Sequence, residues 1–305
     1  MKNVLVLGGN GFIGRNLCKT LSANKEYKVF SFDLNVPEHK MDNVNYLDGD
    51  FFDDYVLETI LKDKDIIYHA ICTMNPGNSN DKYIVGYERD LIQTIKLCDM
   101  LKNSGSRLIF LSSGGTIYGK QTQMPINEDV TPAPINHYGN LKLCIESTLR
   151  VFKTQQNLDF IIARVANPYG PGQDYKKGVG FIDAVIKHAM NNETVEIWGD
   201  GSVVRDYIYI DDVCKALAEL SRYKGDMDIV NIASGTGTNQ NEIVEIVKQL
   251  HPSLKVKYLD KRSVDADMII LDNNRMKAFY KDELVSLEQG IKNYYEYVGE
   301  INGKN

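Results

Sequence analysis

Apolar residues come in two rhythms along this chain. Short unbroken runs, Val4–Leu7, the stretch YKVFSFD (27–33), Asp65–Ala70 and Leu108–Leu111, read as strands buried on both faces. Between them lie stretches with helical spacing, the first carrying Ile13, Leu17, Thr20 and Leu21. A third strand precedes DGDFF. Strands that alternate with helices predict an α/β fold with a doubly wound parallel sheet, whose ligands sit at the carboxyl ends of the strands. After Asn167 the pattern loosens. GFIDAVIKHAM reads as a glycine turn and an amphipathic helix, and DIVNIAS (228–234) as a late strand that returns to the first sheet. The expected division is residues 1–167, with elements around 206–235 rejoining them, and a smaller α/β part over 168–305.

The first strand runs straight into glycines at 8, 9, 11 and 14, with Phe12 and Ile13 opening the helix. Strand, glycine turn, helix is the context that gives such a pattern meaning. Gly8, Gly11 and Gly14 let the backbone turn tightly and approach a pyrophosphate, and the helix N-terminus offers free N–H groups. The second strand ends at Asp33, 19 residues beyond Gly14. An acid there binds both adenosine ribose hydroxyls and repels a 2′-phosphate, so the expected cofactor is NAD, on a Rossmann-type sheet. Asp50 and Phe51 fall where adenine would lie, and Ala70 ends the fourth strand beside the phosphates.

Composition narrows the classes. The chain has 305 residues and a formal net charge of −6, which argues against broad nucleic-acid binding. No apolar run approaches the length of a membrane span. The N-terminus breaks into glycines too soon for a signal sequence. Five scattered cysteines (Cys18, Cys72, Cys98, Cys144, Cys214) form no CxxC pair and read as reduced core thiols of a cytoplasmic protein. No metal site is expected.

The fifth strand runs into Ser112, Ser113, Gly114, Gly115 and Thr116, which places hydroxyls at the sheet's carboxyl edge. Some twenty residues on, after TPAPIN, a helix starting near Asn136 carries Tyr138 and Lys142 one turn apart on one face. A free phenol, with a pKa of ~10, is a poor base. A neighbouring ammonium and a cationic nicotinamide both favour the phenolate, and a Ser or Thr hydroxyl can share the proton with substrate. That assembly takes a proton from an alcohol while hydride leaves the same carbon.

GGNGFIG, Asp33, LSSGGTIYG and YGNLK together resemble the extended short-chain dehydrogenase/reductase superfamily. RVANPYGPGQ (164–173), WGDGSVVRDYIYIDDV (198–213) and KRSVD (261–265) resemble its nucleotide-sugar epimerase and dehydratase branch, most closely the UDP-hexose 4-epimerases. The resemblance spans nearly the whole chain. Dehydratases and decarboxylases of the branch carry an acid after the strand-end hydroxyls. Here no carboxylate stands between Ser112 and Tyr118, which argues against dehydration. One departure is that the usual catalytic Ser/Thr position falls on Gly114, so Ser113 or Thr116 must supply the hydroxyl, with Thr116 preferred. The usual Asn of the preceding helix is Asp90, read here as structural.

The resemblance implies that Ser112 lies against the cofactor and that Lys142 holds the nicotinamide ribose. It also implies that Asn167 and the Gly180–Phe181 turn contact a UDP-sugar. Arg205 and Arg262, always charged and forked, are the expected phosphate partners, and Asp265 the ribose partner. Trp198 is read as core. The expected activity is an NAD-dependent 4-epimerase in which Tyr138 is the base. Its rivals are an NAD(P)H-dependent 4-keto sugar reductase and a catalytically silent nucleotide-sensing module. A homodimer paired through two helices of the first domain is implied by resemblance.

Overall fold

The computed structural model describes residues 1–174, 180–260 and 266–303. In chain order its first half comprises β1 (Lys2–Leu7), α1 (Phe12–Ser22), β2 (Tyr27–Asp33), β3 (Val44–Asp48), α2 (Asp54–Leu61) and β4 (Ile66–His69). There follow α3 (Ser79–Val85), a π-helical turn (Gly86–Leu91), α4 (Ile92–Leu101), β5 (Arg107–Ser113), the short α5 (Gly114–Ile117), α6 (His137–Gln156) and β6 (Asp159–Val165). The second half holds β7 (Asn167–Tyr169), α7 (Phe181–Asn191), β8 (Thr194–Trp198), β9 (Val204–Tyr209), α8 (Ile210–Leu220) and β10 (Ile229–Ile232). It ends with β11 (Gly237–Asn239), α9 (Gln240–Leu250), β12 (Lys255–Leu259), β13 (Met268–Ile269), α10 (Asn274–Phe279) and α11 (Leu287–Ile301).

Seven of these strands form one parallel sheet in the order β10-β6-β5-β4-β1-β2-β3. Both faces are covered, which is why its strands are apolar without alternation. Val4 and Val6 join one core with Leu17 and Leu21 of α1 and Val213 and Leu217 of α8. Leu5 and Leu7 join the opposite core with Leu57 of α2, Leu97 of α4 and Leu141 and Ile145 of α6. The order reverses between β1 and β4. The crevice this opens at the carboxyl ends of the strands is where the glycine turn, Asp33, Ala70 and Ser113 all emerge.

The second half builds its own core. Ile182, Val185 and Ile186 of α7, Ile197 of β8, Ile243 and Val247 of α9, and Ile291 and Val298 of α11 pack together. β9 pairs with β7, β11 and β13, and β8 pairs with β12. β7 follows β6 after one residue, so Asn167 stands where the large sheet hands the chain to this second layer.

Candidate active site

Two cavities open along the carboxyl edge of the sheet. The first, of about 480 Å³, is lined by Gly8, Gly11, Asp33, Asp50, Phe51, Ala70, Cys72 and Thr73, among others. Its floor is the glycine turn. Gly8 has φ +87°, a left-handed backbone that side chains disfavour. A Cβ on Gly14 would come 2.0 Å from the Gly8 carbonyl oxygen, so the helix closes on the turn only because that side chain is missing. Gly11 caps α1 without a side-chain bond, and the first turn holds no acid, which leaves the helix N-terminus open to an anion. Phe12 and Ile13 are half-buried against the core and form no part of this lining.

Asp33 ends β2 and faces the turn. Its carboxylate accepts hydrogen bonds from Asn10 N at 2.9 Å and Leu34 N at 2.8 Å. Phe51 is buried between the His69 ring and Phe52. A cradle with no room for side chains, an open helix end and an acid that ends β2 beside the turn fit a dinucleotide with an unphosphorylated adenosine ribose.

The second cavity, of about 450 Å³, lies between the two halves. Gly115, Thr116, Asn136, Asn167, Arg205, Gly180, Phe181 and Trp198 are among its lining residues. Asn167 Nδ2 donates to the Asp206 carbonyl at 2.8 Å, and Arg205 Nη1 to the Val204 carbonyl at 2.8 Å. Trp198 is 42% exposed, so its reading as core is corrected: strand alternation in β8 buries Val195 and Ile197 and turns Trp198 out. Four residues that line this cavity hold a buried polar atom with no partner among the described residues: Thr116 Oγ1, Gln173 Oε1, Asp183 Oδ2 and Gln240 Oε1. Arg262 and Asp265 lie outside the described residues.

Tyr138 enters from α6. Asn136 caps that helix, its side chain accepting from Gly139 N at 2.8 Å, which fixes Tyr138 in the first turn. Gly139 has no room for a Cβ, which would come 2.8 Å from the Thr116 carbonyl, so the helix start lies directly on α5. Lys142 is buried, donates to the Leu111 carbonyl at 3.0 Å, and holds its Nζ 4.7 Å from the Phe110 ring centre and 5.6 Å from that of Tyr138. The structure thus brings Tyr138, Lys142 and the Thr116 loop together.

The strand-end hydroxyls take different directions. Ser112 is buried and donates to Glu146 Oε1 at 2.7 Å, so its side chain does not reach the crevice as expected. Glu146, one turn after Lys142, also accepts from Arg164 Nε and Nη2 in a wholly buried pair. Ser113 precedes α5 and does not line the second cavity; Thr116 does.

Burial pushes the Tyr138 phenol above its ordinary pKa. Lys142 acts in the expected direction, downward, but desolvation outweighs it, and Cys72 and Asp90 add to the rise. Burial alone would lower the Lys142 pKa; Cys72, Tyr138, Asp90 and Glu146 reverse this and keep it an ammonium. His69, enclosed beneath this group, is pushed down to about 3 by burial and then by Lys142, so it is neutral.

Asp90, read from the sequence as structural, ties the end of the β4 connection to the π turn. It sits in the π turn, 3% exposed, and its Oδ2 accepts from Thr73 N at 2.8 Å, Thr73 Oγ1 at 2.9 Å and Cys72 Sγ at 3.3 Å. Both of those residues line the first cavity. No local pattern marks this bond, which joins residues 17 and 18 positions apart.

Residues 4–233 match the family model described as the NAD dependent epimerase/dehydratase family. A dTDP-4-dehydro-6-deoxyglucose reductase of Escherichia coli is 30% identical over 295 residues, covering 90% of each chain. A UDP-glucose 4-epimerase of Thermotoga maritima, crystallised with UDP-glucose, has a TM-score of 0.90 at 31% identity, covering 98% of this chain and 99% of that one. A UDP-N-acetylglucosamine 4-epimerase from Methanobrevibacter ruminantium, in complex with UDP-N-acetylmuramic acid, has a TM-score of 0.89 at 28% identity and the same coverage.

Proposed function

The chain belongs to the NAD dependent epimerase/dehydratase family, and within it we propose that it inverts the 4-hydroxyl of a UDP-hexose through a transient 4-keto sugar. The observation that carries this reading is the buried, unpartnered Thr116 hydroxyl, in one cavity with Asn167 and Arg205 and against the helix start that holds Tyr138. Among the described residues, Asp183 is the one carboxylate lining that cavity, and it is bonded to the Tyr294 hydroxyl in the second half. Among the described residues, then, no carboxylate beside Thr116 is offered for dehydration.

Thr116 Oγ1 orients the sugar 4-hydroxyl, and Tyr138 Oη takes its proton. Lys142 supports the phenolate from one turn along the helix. Gly8, Gly11, Asp33 and Ala70 would hold NAD, which when bound would supply a hydride acceptor and donor and a positive charge to offset the desolvation of the phenol. Asn167 and Arg205 hold the diphosphate while the flat sugar turns. With the other face of the C4 carbonyl now presented for return of the hydride, Tyr138 gives the proton back to the 4-oxygen, and the carbon is left inverted. Residues 1–167 with the late strand hold the cofactor and also bring Thr116, Tyr138 and Asn167 to the sugar nucleotide, and the remainder serves the nucleotide sugar.

The test is to incubate the pure chain with UDP-hexoses, without added cofactor, and resolve products by NMR. Interconversion of 4-epimers supports the reading. Turnover only with stoichiometric NAD(P)H would favour the reductase chemistry of the Escherichia coli relative. The reading includes a cytoplasmic setting, in keeping with free Cys18, Cys72, Cys98, Cys144 and Cys214. It also includes a homodimer, for which Ile84, Val85 and Ile92 beside α6 offer exposed apolar side chains. Sedimentation at micromolar concentration tests the dimer.

A further inference from the structure

Arg89 lines the first cavity together with Asp33, Asp50 and Phe52. Its guanidinium carbon lies 3.8 Å from the centre of the Phe52 ring, and its Nη2 lies 4.0 Å from Asp50 Oδ2. One face of the planar group is therefore covered by an aromatic ring. The side chain is still 48% exposed, so its other face is not spent on the protein. The base beneath it is firm. Arg89 belongs to the π turn, whose next residue, Asp90, is bonded to Thr73, and whose first, Gly86, is filled by Met74.

We propose that Arg89 stacks on the adenine of the bound dinucleotide and closes the adenosine end of its cavity. A delocalised cation with a free face is a platform for a purine, because every base presents a π surface to it. The neighbouring groups define the same end. Asp33 faces the turn where the adenosine ribose is expected, and the Asp50 carboxylate offers an acceptor for an exocyclic amine. Phe52 behind the guanidinium replaces the water that a lone exposed arginine would keep, and Asp50 limits its swing. The contact requires the plane of the group as well as its charge.

The experiment follows release of nucleotide from the holoenzyme into excess ADP-ribose, by mass of NAD retained after desalting. R89A should release NAD roughly five- to tenfold faster than the parent. R89K keeps the charge but not the plane and should recover little of the loss. Affinity for UDP, read from the fluorescence of Trp198 in the other cavity, should be unchanged in both. Release at the parental rate in R89A overturns the proposal, as does full recovery in R89K. A parallel loss of UDP affinity would mark a general disturbance and overturns it too.

Discussion

A Cβ on Gly114 would come 2.3 Å from Leu271 Cδ1, with the Arg164 carbonyl oxygen 3.2 Å away. The position at which the family resemblance leads one to expect a hydroxyl is crowded here by a side chain from the distant β13 connection. On the proposed reading another residue supplies the hydroxyl, and among the described residues Thr116 Oγ1 has no hydrogen-bond partner. Thr116→Val should therefore lower turnover by roughly a hundredfold or more, with Ser113→Ala near the parent. Steady-state rates on the preferred nucleotide sugar decide it; equal effects would remove Thr116 from its role.

Tyr138→Phe should fold, keep NAD and lose activity by roughly two to four orders of magnitude, as the base is gone. The pH profile carries the electrostatics. The active species is the phenolate, so the rate should rise with pH through the Tyr138 pKa. Burial raises that pKa and Lys142 opposes the rise. Lys142→Met should then move the ascending limb to higher pH, while Lys142→Arg leaves it near the parent. A limb that stays in place in Lys142→Met would separate Lys142 from the titration of Tyr138.

Trp198 is the only tryptophan of the chain and lines the second cavity. Adding UDP should change its emission. Arg205→Ala should weaken that binding by ~1.5–3 kcal/mol, the range of a charge-assisted hydrogen bond. A titration curve that matches the parent would place Arg205 away from the diphosphate.

Asp33 should set the choice of cofactor. A 2′-phosphate beside this carboxylate meets a like charge costing about 4 kcal/mol per charge at 4 Å and an effective dielectric near 20. The purified chain should carry NAD or NADH, and Asp33→Ser should weaken NAD and relax the rejection of NADP. Mass analysis of nucleotide released on denaturation tests this. Recovery of NADP from the parent would overturn it.

Glu146 and Arg164 form an ion pair with both side chains 1% exposed. Glu146→Ala strands the guanidinium in the core and should cost ~3–5 kcal/mol in a denaturant titration. It also releases Ser112, so β5 should loosen beneath the catalytic loop. A loss under 1 kcal/mol would show that water reaches Arg164.

The features legible in the sequence are those carried by short spacings. The glycine turn, Asp33 and the Tyr138–Lys142 step each lie within one turn or one strand, and the structure assembles them at one edge because parallel strands all end there. What could not be read depends on distant neighbours. Leu271 decides which hydroxyl is available, desolvation decides the direction of the Tyr138 shift, and alternation within β8 decides that Trp198 faces a cavity. Ser112, expected against the cofactor, is instead bonded to Glu146, 34 residues on. Asp90 and Arg89 are ordinary charges on a helical stretch until the turn beneath them is known to be π-helical.

β10 is one of the two edge strands of the large sheet, yet it is made of Ile229–Ile232 and pairs with β6, some sixty residues earlier. On the ribosome the sheet therefore waits with one long edge open while the chain between is synthesised. A fragment cut at residue 167 would keep that edge permanently bare, a template for pairing with other molecules. The nucleotide-binding half cannot be excised by a single cut, and a truncation that spares every glycine and Asp33 should still aggregate.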